Sequence, residues 1–179
     1  MNPAFPATEA DLREQYALAT KIAARATEAN DAVVIIRDIR KKAEEAAKAK
    51  PELESDVKGI LAAMEAIENE IYQTKSRASQ DPLNYPIKLN DKIGGVLGVV
   101  LSGDNKPTKQ CYDVFDMLSA QLQVQLDALK KVRTTQLADL NKKLKALGLA
   151  EIVPITPDQI KAQIGNFREE ISEADPDRM

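Results

Sequence analysis

Leu53, Val57, Ile60, Met64, Ile67 and Ile71 follow one another at spacings of four, three, four, three and four. That rhythm holds apolar side chains on one face of an α-helix, because a repeat of 3.5 residues nearly matches the turn of 3.6. A half-buried strand would need alternation at every second residue, and this segment has none. A seam of this kind must be covered by other helices, so the rest of the chain is read first for its partners. Composition supplies them: 179 residues, 44% hydrophobic but only 4% aromatic and without Trp, give one domain a core of Leu, Ile, Val and Ala.

Upstream, Thr8 and Asp11 have the spacing of a helix start close to a capping box. Leu12, Tyr16, Ala19, Ala23, Ala26, Val33 and Ile36 then recur near steps of three and four, predicting a helix over about 9–49 that is about 60 Å long. Pro51 stops it, and the seam above lies in a second helix over about 52–77. So short a connection makes the pair antiparallel. Pro86 suits the first position of a third helix over about 86–102, with Gly103 as its left-handed cap. Thr108 is the candidate cap of a fourth over about 108–147, whose face runs Phe115, Leu118, Leu122, Leu126, Leu129 and Val132. After a phase slip at Thr134 and Thr135 the face resumes at Leu137, Leu140, Leu144 and Leu147, and Gly148 closes the helix. The expected fold is therefore all-α: an antiparallel four-helix bundle over 1–148 with two long and two shorter helices. The spare lengths, around Leu12 to Ile22 and Leu137 to Leu147, are expected to pair as a stalk. Residues 149–179 form a tail with a short helix over about 157–172, in which Ile160, Ile164, Phe167 and Ile171 are a candidate assembly face.

What the chain lacks excludes several chemistries. There is no histidine, and with it go the commonest general base, the imidazole ligands of zinc and the Glu-x-x-His signature of di-iron bundles. The single cysteine, Cys111, makes neither an internal disulfide nor a Cys-rich zinc site. Its place near a helix start favours a reactive thiol, but its plainer role is that of a small buried hydrophobe. No catalytic residue, cofactor or metal is expected. A net charge of -3 and a pI near 5.2 provide no basis for nucleic-acid binding. Ile93 to Leu101 falls short of the roughly 20 apolar residues of a membrane span, and polar faces of mixed sign argue against contact with a membrane surface. The opening MNPAFPATEADL has neither the basic nor the apolar region of a signal peptide. Glu65, Glu68 and Glu70 flank the seam and are expected on a solvated face.

Two features between the second and third helices invite a functional reading. The first is the loop: Lys75, Arg77, Ser79, Gln80, Asp81, Asn84 and Tyr85 are a candidate ligand or interface site, with two cations and several polar groups to hold an anion. The competing reading has Ser79, Asp81 and Asn84 capping backbone groups, Asp81 pairing with Arg77, and Leu83 and Tyr85 plugging one end of the bundle. The second is the trio Gly94, Gly95 and Gly98, each costing about 1 kcal/mol against alanine in a helix. Close packing against another helix is the expected compensation; a ligand lying on bare backbone is the alternative. A hydrolase without histidine would need paired carboxylates such as Asp81 and Asp91 beside Tyr85, yet no spacing ties these together.

The run YQTKSRASQDPLNYPIKLNDKIGGVLGVVLSGDNKPTKQCYDVFDMLSAQL resembles the C-terminal helical region of bacterial sortilin-like proteins, often labelled glycosyl hydrolases, whose main body is a propeller of neuraminidase-type repeats. The likeness centres on Lys75 to Leu122, above all on the loop from Arg77 to Pro86 and the turn Leu89-Asn90-Asp91-Lys92. It implies a noncatalytic accessory or interaction module of a secreted, periplasmic or envelope-associated protein, with any hydrolase chemistry in the propeller. The expected partner is protein: that propeller, or a second copy of the chain.

Overall fold

The computed structural model describes residues 7–78 and 80–174, with side chains described as far as residue 166. Ser79 and the side chains of Phe167 and Ile171, three of the sequence candidates, lie outside the described residues. The described residues form α1 (Glu9–Ala49), α2 (Glu54–Ile71), α3 (Leu89–Val100), α4 (Lys109–Thr134), α5 (Gln136–Ala146) and α6 (Pro157–Ala174), with no strand among them. The protein is an all-α bundle.

Each boundary has a local cause. At the start of α1 a full capping box forms: the Asp11 N–H donates to the Thr8 hydroxyl (3.2 Å), and the Thr8 N–H donates to the Asp11 carboxylate (3.0 Å). Pro51 ends α1, and one 3-10 turn, Pro51–Leu53, leads into α2. The second helix, expected to reach residue 77, stops at Ile71; Tyr72 turns extended, and the Arg37 guanidinium lies 4.9 Å from its ring centroid. The third begins at Leu89 rather than Pro86, since Lys88 ahead of it is extended. Gly103 is not left-handed; among the described residues Gly148 alone has positive φ, +70°. There Leu149 donates to the Leu144 carbonyl (2.9 Å) and Gly148 to that of Lys145 (3.1 Å), a Schellman cap. The fourth helix is not continuous to 147. It breaks at Thr135, where the Thr134 and Thr135 hydroxyls donate back to Lys130 and Lys131 carbonyls.

Cross-element bonds fix the directions. Lys106 pairs with Glu14 (3.0 Å), and Arg25 donates to the Ser119 carbonyl and the Gln123 side chain (both 2.9 Å). Residue numbers therefore rise together along α1 and α4, which run parallel. At the far end Ala46 and Ala49 of α1 share a cavity wall with Leu144 of α5. The connection at Pro51 reverses the chain, so α2 descends beside α1, with Glu68 reaching back to Arg37 and Arg40. Lys143 pairs with Asp56 (2.6 Å), setting α5 against the beginning of α2. Gln15 donates to the Val100 carbonyl (2.7 Å), setting the end of α3 against the beginning of α1. The two shorter helices thus lie end to end.

The bundle accordingly has three rods in cross-section, α1, then α2 followed by α3, then α4 followed by α5, with their shared core at Ile22, Ile36, Ile60, Met64, Ile93, Leu122 and Leu140. The all-α bundle of two long and two shorter helices expected from the sequence is present, with its two shorter helices in line rather than side by side. That order removes the stalk, because Leu12 to Ile22 and Leu137 to Leu147 sit at opposite ends. Each long rod is covered along its length by one or other short helix.

The tail folds back on its own chain. The Asn141 carboxamide accepts from the Ile152 N–H (2.8 Å) and donates to its carbonyl (3.1 Å), mimicking a strand pair. Asp38 accepts from the Ile155 N–H (2.9 Å), Lys42 donates to the Val153 carbonyl (2.8 Å), and the start of α6 touches α1. Ile160 is buried against its own chain, so it does not belong to a free assembly face, whereas Ile164 is 50% exposed.

Candidate functional site

The loop from Lys75 to Tyr85 is an excursion in the middle of a rod and not a plug at the end of a bundle. Its neck is closed by Gln73, whose side chain donates to the Pro86 carbonyl (2.8 Å). Asp81 accepts from the N–H groups of Arg77 (2.6 Å) and Ala78 (2.7 Å), so its carboxylate holds the loop's backbone. These two bonds lower its pKa, and their contribution to stability, present above pH 3.8, is lost as the pH falls through the depressed value. Leu83 stands 87% exposed, and Lys75 lies over the Tyr85 ring at 5.9 Å. Gln80 and Asn84 are exposed as well. None of the described loop side chains lines either of the two grooves beside α3. Asp91 does line one, so the structure gives Asp81 and Asp91 separate surroundings.

The glycines correct another expectation. A methyl group added at Gly94, Gly95 or Gly98 would meet no atom within 4 Å, so no helix of this chain packs closely on them. With three rods abreast, the outer side of α3 has no neighbour. Gly95 instead forms part of an open groove of about 730 Å³ between α3 and α4, together with Ile87, Val96, Val99, Val114 and Met117. A second hollow of about 330 Å³ shares Ile87, Lys92 and Gln121 with it and extends the groove to Val124 and Gln125.

One wall of this groove is a second seam that the sequence analysis passed over. Gln110, Val114, Met117, Gln121, Val124 and Ala128 are again spaced four, three, four, three and four, and none is charged. The core seam of α4 lies beside it, at Phe115, Leu118, Leu122, Leu129 and Val132. Apart from Ala128 every member of the outer seam is exposed, Met117 at 52% and Val124 at 63%. The signal was present in the repeat itself, but two interleaved seams on one helix are hard to separate until one is known to be buried. At one end of the groove Cys111 is half-buried, with its Sγ 3.4 Å from the Thr108 hydroxyl. That hydroxyl makes no capping bond to α4, contrary to its expected role. Asp91, Lys92, Gln110 and Gln121 supply the polar lining.

Among the described residues no group of three or more His, Cys, Asp or Glu side chains is placed to hold a metal ion, and no helix is long and apolar enough to cross a membrane. The fold and the groove together define the class: an all-α bundle with one long, largely apolar flank left open. No protein family, curated protein or solved structure was found to match the chain.

Proposed function

We propose that this chain is a noncatalytic helical interaction module whose working surface is the α3–α4 face, and that it serves as an accessory part of a larger secreted or envelope-associated propeller protein. One observation carries the first half of this reading: Ile87, Val99, Val114, Met117 and Val124 stand exposed together along a single groove. Leaving such a stripe in water costs about 25 cal/mol per Å² of apolar surface that a partner would cover. The second half rests on the resemblance of Lys75 to Leu122. An anion site in the 75–85 loop has less support, because Asp81 is occupied by backbone amides. A hydrolase using Asp81 with Asp91 has less still.

Oxidative footprinting tests the reading. Met117 is exposed, Met64 is fully buried and Tyr16 is 75% exposed, so the chain carries its own controls. In the native extract, compared with dilute purified protein, Met117 should be protected severalfold while Tyr16 remains reactive and Met64 inert. Equal labelling of Met117 in both settings contradicts an interaction role for this face.

A further inference from the structure

We propose that the cleft between α1 and α5 is a binding site for an extended peptide segment, with residues 151–155 of this chain as its tethered, exchangeable ligand. This inference concerns a different surface from the α3–α4 face and does not rest on the reading above.

Residues 149–156 lie between two helix signals. Gly148 closes α5 with its positive φ, and Thr156 opens α6: its hydroxyl accepts from the Gln159 N–H (3.3 Å) while its own N–H donates to the Gln159 side chain (2.9 Å). The backbone between them must find partners elsewhere, and four bonds to helix side chains supply them. Asn141 of α5 takes both the N–H and the carbonyl of Ile152, two groups that point the same way only in an extended residue. Lys42 of α1 reaches the Val153 carbonyl. Asp38, one turn away and paired with Lys42 (2.8 Å), accepts from the Ile155 N–H. Pro154 has no N–H to offer and forfeits none of these bonds.

A site of this design reads main chain. Backbone bonds hold an extended peptide, and pockets for its side chains select it. The selecting pocket here belongs to Ile152, 5% exposed, whereas Val153 points outward at 67%. The class of peptide that fits is therefore an apolar residue, then any residue, then one that needs no N–H, then one whose N–H meets Asp38.

The segment is loosely seated. Among the described side chains of 149–166 only Ile152 and Ile160 are buried, and hollows of about 410 and 530 Å³, each bordered by Lys42 and Val153, flank the segment. The walls of the cleft have anchors of their own: α1 and α5 both pack against α2, and Lys143 ties α5 to Asp56. Few buried contacts and a backbone held by side chains mark a segment that opens before the rest of the fold. Its tether keeps it at an effective concentration on the order of millimolar, so a peptide in trans enters when the segment lifts.

Two measurements on the full chain test this. In amide hydrogen exchange, Ile152 and Ile155 should be at least about tenfold less protected than Ile60 and Met64 of α2. In the second, a fluorescent peptide of residues 149–160 is titrated into the chain and its variants. Ile152→Asp unseats the chain's own segment and leaves the cleft intact, so it should bind the peptide at least about tenfold more tightly than the unaltered chain does. Adding Asn141→Ala should remove that gain, and a peptide carrying Ile152→Asp should not bind. Segment amides that exchange only together with those of α2, or a loss of helical circular dichroism in Ile152→Asp, would make the segment a fixed part of the bundle and overturn the proposal. A folded Ile152→Asp chain that takes up no peptide at about 100 μM, or takes it up regardless of Asn141, overturns the α1–α5 cleft as the site.

Discussion

Gln15 occupies a buried position in α1 where the surrounding pattern asks for an apolar residue, and it closes the end of α3. Its side-chain amide donates to the Val100 carbonyl (2.7 Å), one of the acceptors that a helix C-terminus leaves without partners, and to the Gly103 carbonyl in the turn beyond (2.5 Å). Glu68 makes a similar exchange in the middle of the bundle. Only 2% exposed, it accepts from Arg37 Nε (2.7 Å) on one oxygen and from an Arg40 terminal nitrogen (2.8 Å) on the other. Truncating the acid leaves two cations facing each other across a cavity, whereas removing one arginine leaves the acid still paired. Glu68→Ala should therefore lower the unfolding free energy by about 3 kcal/mol, at the lower edge of what breaking a buried pair costs because both arginines keep some contact with water. Arg37→Ala should cost less than half as much, and urea unfolding of the two variants checks the order. The expectation of a solvated Glu68 failed for a physical reason. It lies one position from Ile67 of the seam, and only the placement of Arg37 and Arg40 on another helix decides that this flank is inside. Tyr16, expected in the core and found 75% exposed, shows the same limit. In an alanine-rich helix the stripe has several nearly equivalent phases, and Gln15 with Leu18 and Ile22 marks the one adopted.

At the scale of elements, strong local chemistry was legible and weak chemistry was not. The capping box at Thr8, the stop at Pro51, the seam of α2 and the left-handed Gly148 all follow from residues within one turn of the boundary they set. The slip at Thr134 and Thr135 was visible as a defect in the repeat, but not that it divides α4 from α5. The glycines of α3 were misassigned because their cost is local, while whatever offsets it depends on which neighbour is present. Gly94 and Gly98 lie away from the groove and face open space. Replacing either by alanine in dilute protein should stabilise α3 by about 1 kcal/mol, raising the thermal midpoint. A fall in that midpoint would mean that a helix crosses there after all. The outer α4 seam has the converse status, since its spacing was readable from the start and its significance depended on α3 leaving it uncovered.

The arrangement of the whole molecule is the level at which sequence reasoning was weakest. Heptad seams say that helices pair, not which ones share a side, and four amphipathic segments are compatible with four rods abreast or with two of them in line. The choice is made by the loop between α2 and α3. Held at its neck by Gln73 and inside by Asp81, it lets α3 continue in the direction of α2 instead of reversing. Because the short helices are in line, the long ones run parallel, the chain has three rods, and α3 with α4 keeps an uncovered flank. The functional proposal depends on that geometry. Its most direct test is a pulsed electron-paramagnetic-resonance distance between spin labels at Arg13, near the start of α1, and Lys145, near the end of α5, with Cys111 replaced by serine. Parallel long rods put these sites at opposite ends, about 50 Å apart at 1.5 Å per residue. A distance near 20 Å or less would restore the antiparallel stalk and remove the open α3–α4 face on which the account depends.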